Sequence, residues 1–374
     1  RSARMTRLAL TELTLSHFRS HKLARITCGP LPVAIHGPNG AGKTNILEAV
    51  SLFSPGRGLR RSSAQDMTRR PEALGWKVTG ILNAQDQLHE IEMWSENGAA
   101  RSTKINSKPT PQNRLADLAR VLWLIPSMDR LWIEGAEGRR RFLDRMTLSF
   151  FPGHAEASVT YEKTMRERNK LLKENVRDPM WYGVLESRMA ETGALIHRNR
   201  QLCLGFLSDA QTRAETAFPT ADLELVHSDD AMPANPDDLK DALADSRFRD
   251  LAAGRTLTGP HRADLYGVFT AKGVPAKDCS TGEQKALLIS LILANARALA
   301  AQIGVPPILL LDEVAAHLDA GRRAALYAEI SALGAQAWMT GTGPELFDSL
   351  TGPAIHLEVT DTNGISETRH KDMP

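Results

Sequence analysis

The residues with the clearest chemical purpose are Gly37-Pro38-Asn39-Gly40-Ala41-Gly42-Lys43-Thr44. Glycines at these positions let backbone N–H groups converge on phosphate oxygens without side chains in the way. Lys43 brings a point charge to the β- and γ-phosphates, and Thr44 offers a hydroxyl to Mg²⁺. An apolar run, Val33-Ala34-Ile35, leads into the loop, and Ile46, Leu47, Val50 and Phe53 follow at helical spacing until Pro55. A strand and a helix therefore hold the loop, with the partly positive helix N-terminus facing the phosphates. This spacing predicts binding of a nucleoside triphosphate by all eight loop residues.

A second pair of groups narrows the reaction. Asp312-Glu313 ends the apolar run Ile308-Leu309-Leu310-Leu311. There Asp312 can hold Mg²⁺ through water, and Glu313 can orient or deprotonate an attacking water, which makes hydrolysis the expected reaction. The competing reading is an exposed acidic pair opening a helix, where carboxylates suit the dipole. Upstream, Ser280-Thr281-Gly282-Glu283-Gln284-Lys285 precedes a helix rich in Leu, Ile and Ala from about 284 to 300. Ser280 with Glu283 also fits a helix capping box.

The elements that must position these groups are legible in outline. Leu8, Leu10, Leu13 and Leu15 suggest strand alternation. Short strands are expected from Trp76 to Ile105, broken at Asn97-Gly98. From about 155 to 175 and from 180 to 218 the pattern is helical, with Pro179 separating the two segments, so an antiparallel hairpin is expected. Its second helix, roughly 38 residues if continuous, would be about 57 Å long at ~1.5 Å per residue. The stretch 233–245 reads as an acidic loop or small helix. After Leu251 the α/β pattern resumes, with a helical face at Leu326, Ile330 and Leu333 and a strand at Trp338-Met339-Thr340. The expected divisions are 1–114, 115–252 and 253–374, an α/β head split by a helical insertion.

The bulk composition excludes some classes. Hydrophobic residues make up 42% of the 374 and charged residues 24%, ordinary values for a globular chain with a full core. No run of about 18 uninterrupted apolar residues marks a membrane span. The opening Arg1-Ser2-Ala3-Arg4-Met5 lacks a secretory pattern, so a cytoplasmic location is expected, with Met5 as a candidate natural start. Cys28, Cys203 and Cys279 lie far apart, as reduced core thiols would. The net charge is only +2, but Arg57, Arg60, Arg61, Arg69 and Arg70 cluster against a single acid, Asp66. Arg57, Arg60 and Arg61 are candidate DNA-phosphate contacts, while Arg69 and Arg70 fit a solvated face better. A second cluster, Arg139-Arg140-Arg141 with Arg145, carries the same two readings.

Several stretches together resemble one family. Ser280–Lys285 is similar to the signature of ABC ATPases, with Thr281 in place of a glycine, and Ala316-His317-Leu318-Asp319 resembles their D-loop. Leu15-Ser16-His17-Phe18-Arg19-Ser20, Ser54-Pro55-Gly56-Arg57-Gly58-Leu59-Arg60-Arg61, Arg139-Arg140-Arg141-Phe142-Leu143-Asp144 and Gly259-Pro260-His261-Arg262-Ala263-Asp264 keep the order seen in the RecF family. The resemblance implies an ABC-type P-loop ATPase head with a short helical-hairpin arm. It implies ATP and Mg²⁺ as ligands and an ATP-dependent homodimer in which Ser280, with Gly282, acts on the nucleotide of the other copy. Arg19 and Thr340 are further expected nucleotide contacts. It also implies duplex DNA near single-strand gaps as substrate, RecO and RecR as partners, slow hydrolysis, and no membrane.

The sequence departs from the family in places. Ala263 stands where an acid is frequent, Pro126-Ser127 lacks a Q-loop glutamine, and Thr340-Gly341-Thr342 lacks a switch histidine. His261 is split between core packing and a site role. The rivals are a transporter's nucleotide-binding subunit, which needs that glutamine and histidine and a shorter insert between Lys43 and Ser280, and a chromosome-organising ATPase, which needs a far longer coiled coil. A third is a nucleotide-gated scaffold with negligible turnover.

Overall fold

The computed structural model describes residues 7–227 and 232–371. The candidate start at Met5 lies outside them. In chain order the elements begin with β1 (Ala9–Phe18), β2 (His21–Thr27), β3 (Val33–His36) and α1 (Lys43–Ser51). There follow β4 (Trp76–Ala84), β5 (Gln87–Ser95), β6 (Ser102–Ile105), β7 (Lys108–Pro109) and β8 (Val121–Leu124). Next come α2 (Ala136–Phe150), α3 (His154–Lys173), α4 (Pro179–Arg213), β9 (Ala221–His227), α5 (Pro236–Asp245) and α6 (Arg247–Ala253). The chain continues with β10 (Ala263–Phe269), β11 (Val274–Pro275), α7 (Thr281–Ile303), β12 (Ile308–Leu311), α8 (Ala320–Leu333), β13 (Ala337–Gly341), β14 (Ile355–Thr362) and β15 (Ile365–Lys371).

These elements form two compact units. The first comprises residues 1–129, 213–219 and 281–374, and the second 130–212 and 220–280. The cuts therefore fall at 129/130, 212/213, 219/220 and 280/281, whereas the sequence pattern suggested 114/115 and 252/253. The reason is strand pairing. β8 pairs in parallel with β12, which ties residues 121–124 to the first unit, and β10 pairs with β9, which ties residues 263–269 to the second.

The first unit holds two six-stranded sheets. One runs β2-β1-β4-β5-β6-β7, and the other β15-β14-β3-β13-β12-β8. In the second sheet β14, β3, β13, β12 and β8 are mutually parallel. β3 and β12 are buried along their whole length, as apolar strands covered on both faces must be. Gln336, nearly fully buried, joins the two sheets: its amide accepts from Leu10 N–H and donates to the carbonyls of Leu10, Gly29 and Leu31. α7 is long and apolar enough by length and composition to cross a membrane, but 72% of its most apolar window is buried inside the fold, and it serves as a core helix.

In the second unit α3 and α4 pack as an antiparallel hairpin through Tyr161, Met189, Ala190 and Ala194. α4 has 35 residues and starts at Pro179, where a missing N–H costs nothing. Residues 236–245 are helical, capped by Asn235, whose side chain accepts from Asp238 N–H at 2.8 Å. The hairpin is pinned by Arg168, fully buried between Glu186 at 3.1 Å and Asp250 at 2.7 Å, with Thr256 and the Leu243 carbonyl taking further donors. A three-stranded antiparallel sheet, β11-β10-β9, completes this unit.

Candidate nucleotide site

The loop after β3 is shaped by glycines that no other residue could replace. Gly37 has φ 153° and a Cβ there would lie 2.0 Å from the Val359 carbonyl oxygen. At Gly42, with φ 106°, an added Cβ would lie 2.3 Å from the Ser366 hydroxyl and 2.7 Å from that of Ser20. A set of polar groups supports the loop from behind. Ser366 Oγ donates to the Ala41 carbonyl at 2.6 Å, and Asn45 Nδ2 donates to Ser20 Oγ at 2.7 Å. His21 Nε2 meets the Gly42 carbonyl at 3.0 Å. Burial pushes the His21 imidazole below its ordinary value, with Arg69 adding to the effect against the pull of that carbonyl. The ring is then neutral and donates through Nε2–H.

At the mouth of the loop Lys43, nearly buried, donates to the carbonyls of Gly37 at 2.6 Å and Pro38 at 3.0 Å and lies 3.4 Å from Glu313 Oε1. Thr44 Oγ1 donates to Asp312 at 3.0 and 3.1 Å. Thr340 Oγ1 donates to Asp312 Oδ1 at 2.7 Å and accepts from the Glu313 N–H at 2.9 Å. Glu313 itself sits at φ 55°, a left-handed conformation costly for a side-chained residue. The strand order brings this about, because β13 lies between β3 and β12 and places Thr340 between the loop and the carboxylates. Asp312 is 4% exposed, which rules out a solvated acidic pair.

This donor set fits Mg²⁺ with a triphosphate. Mg²⁺ takes one or two protein oxygens and leaves its other positions to water and phosphate, so a hydroxyl beside one carboxylate is sufficient.

The other expected site residues are distributed as follows. Arg19, at φ 54°, holds the buried Glu48 of α1 with two hydrogen bonds, at 2.8 and 2.7 Å, and donates also to Ser62 Oγ and the Asp66 carbonyl. Arg60 joins the same carboxylate at 2.9 Å and Asn45 Oδ1 at 2.6 Å. Glu48 was not singled out in the sequence; its only signal was a carboxylate among the apolar positions of the loop helix. Arg57 and Arg61 are exposed. Arg69 is not on a solvated face: it is 4% exposed, donates to the carbonyls of Ser20 and Gly364, and pairs with Glu72. Arg70 is exposed, as expected. Ser280 and Gly282 are exposed at the start of α7, and a side chain at Gly282 would meet nothing within 4 Å. Asp319 caps α8, accepting from Arg322 N–H at 2.9 Å.

Comparison with known proteins decides the family. Residues 9–350 match the family described as the RecF/RecN/SMC N-terminal domain. The chain is 44% identical over 366 residues to the DNA replication and repair protein RecF of Rhizobium johnstonii, covering 95% of this chain and 98% of that protein. The RecF of Rhizobium rhizogenes is 46% identical over 352 residues, 91% of this chain and 94% of its own. The chain belongs to the RecF family. Its fold agrees: a solved structure of the recombination mediator protein RecF with ATP in the RecFOR pathway superposes with TM-score 0.82 at 23% identity, over 99% of this chain and 100% of that one. The Smc head domain of Pyrococcus furiosus gives 0.56 at 17%, over 97% and 96%.

Two RecF-like stretches turn out to pair within the second unit. Arg139 of α2 forms a two-pronged ion pair with Asp264 of β10, at 2.7 and 3.0 Å, and Arg140 donates to the Ala263 carbonyl at 2.8 Å. The backbone at Ala263 thus serves an arginine without needing an acidic side chain. Asp144 takes both prongs of Arg200, at 2.7 and 2.8 Å. Burial raises the cost of charge on Asp144, but Arg200 and His154 overcome it and hold its carboxyl below the ordinary range. His261 bridges Tyr161 Oη at 2.8 Å and the Thr256 carbonyl at 3.0 Å.

Proposed function

We propose that this RecF-family chain is an ATP-dependent DNA-binding ATPase of recombinational repair and replication restart. ATP and Mg²⁺ bind at Gly37–Thr44, with Thr44 and Asp312 as the metal's protein contacts. When bound, Mg²⁺ neutralises charge on the β- and γ-phosphate oxygens. Lys43 leaves its loop carbonyls for those phosphates, and Glu313, released from Lys43, orients the attacking water and takes its proton. Thr340 holds the Asp312 carboxylate and the Glu313 backbone in register for both tasks. Arg19 keeps part of its guanidinium for the nucleotide while Glu48 fixes its position.

The bound nucleotide closes two copies into a homodimer, with Ser280 and Gly282 of each completing the other's site. The dimer holds duplex DNA near single-strand gaps in the cytoplasm and works with RecO and RecR, and slow hydrolysis releases it. Arg57 and Arg61, both exposed, meet DNA phosphates, whereas Arg60 is shared with the loop helix. The observation that carries this reading is the convergence of Lys43, Thr44, Asp312, Glu313 and Thr340, which serves a hydrolysable triphosphate and little else.

Filter binding on duplex, gapped and single-stranded DNA, with and without ATP, tests it. ATP-dependent retention of gapped duplex by the wild type and its loss in Lys43→Ala are expected. Equal retention by the two proteins would refute the assignment of the loop.

A further inference from the structure

The sheet β2-β1-β4-β5-β6-β7 turns a row of side chains away from the core. Burial alternates along β4 and β5, so Lys77, Thr79, Glu92 and Trp94 share the outer face. The register places Ser16 opposite Lys77, Lys77 opposite Trp94, and Glu92 opposite Lys104. Ser16, Lys77, Glu92, Trp94 and Lys104 line a cavity of about 420 Å³, together with His17, Glu96 and the exposed Leu74. That volume lies in the range of small-ligand pockets, roughly 300–1,000 Å³. The Leu15–Ser20 stretch reaches it through Ser16 and His17, and the ATPase mechanism uses none of its residues.

We propose that this cavity receives an unpaired DNA base, stacked on Trp94, with the adjoining phosphate on Lys104. The inference rests on the DNA-repair reading and identifies where the single-stranded side of a gap would be held. Three observations support it. Lys104 Nζ lies 5.2 Å from the Trp94 ring centroid, so a cation already covers the face that a base would take. A base displacing it exchanges a cation–π contact for stacking and frees the ammonium to meet a phosphate. Of the two acids that line the cavity, Glu92 is engaged by Lys77 at 2.5 Å, and Glu96 stands beside it against the cations Lys77 and Lys104. The cavity wall also continues the arginine-rich segment: Arg69 N–H donates to the His17 carbonyl at 2.9 Å, Ala73 N–H donates to the Arg69 carbonyl at 3.0 Å, and Arg70 between them is 82% exposed. Alternating cations and an indole on a sheet face match the alternation of phosphate and base, and they tolerate any sequence.

The test uses the full-length protein with ATP and a gapped duplex carrying 5-iodouracil in the gap. Irradiation is expected to give an adduct that maps to Trp94. Trp94→Ala is expected to lose the adduct and bind oligo(dT) about tenfold more weakly, Trp94→Phe to keep most of the affinity, and both to hold intact duplex as the wild type does. Adducts that map only outside residues 16–17 and 74–104, as a cavity reserved for a protein segment would give, overturn the proposal, as does unchanged oligo(dT) affinity in Trp94→Ala. Should Trp94→Ala fail to fold, the wild-type adduct and Trp94→Phe still decide. Loss of ATP-dependent duplex binding by the wild type would instead overturn the repair reading itself.

Discussion

Lys43 and Glu313 lie 3.4 Å apart, and the proposed reaction asks each to act away from the other. Lys43→Ala should weaken nucleotide binding roughly 10- to 100-fold, the worth of a hydrogen bond to a charged group, as read by a fluorescent ATP analogue. Glu313→Gln should bind ATP normally and lose about 10²- to 10⁴-fold in turnover, the range of a general base. Because the nucleotide then persists, sedimentation should show a stable dimer for that variant at saturating ATP. A monomer would count against nucleotide-driven closure. Glu48 acts at one remove. It is a buried carboxylate with two arginines, and Glu48→Ala should destabilise the first unit by about 3 kcal/mol, the low end for breaking a buried pair because Arg19 and Arg60 keep some solvent. Denaturant titration of that variant beside Glu48→Gln measures it.

Among elements, the strand–loop–helix of β3 and α1 and the β12 strand were legible, because apolar runs abut glycines or carboxylates there. So were α7 and the α3–α4 hairpin, whose periodicity is long and unbroken. The β9-β10-β11 sheet was not. Its strands are short, β9 carries Asp222 and Glu224, and helices α5 and α6 separate it from its partner β10. Pairing at that distance leaves no local trace. The β14–β15 hairpin had a trace, Asn363-Gly364 at its turn, both with positive φ as such turns require. Arg69 and Glu48 were misjudged or passed over because a charged residue's partners, unlike its type, cannot be read from spacing.

Within the second unit the helices are joined by ionic clusters that make it acid-sensitive. Burial pushes His197 and His261 down to about 4, so both are neutral when folded. The unfolded chain takes up these protons below about 6.5, so it binds more of them between pH 6.5 and 4. Stability of the unit should therefore be full above that window and fall as pH drops through it. Asp144, held below its ordinary range, adds a further loss under still more acidic conditions. Urea denaturation across this range should show the slope, and His261→Gln should flatten it. Arg168→Ala should cost about 3–5 kcal/mol at neutral pH, since Glu186 and Asp250 would remain buried without their cation.

For the whole molecule, the account depends on one site being built from two copies. Each copy would supply a glycine loop to one nucleotide and Ser280 to the other, an isologous arrangement. The separate variants Lys43→Ala and Ser280→Arg should each be inactive as ATPases. Mixed in equal amounts, they form hybrids in which one composite site carries both defects and the other carries neither. Hydrolysis should reappear on mixing, at about a quarter of the wild-type rate if pairing is random and sites act independently. A mixture no more active than its inactive components would contradict nucleotide capture shared between two copies.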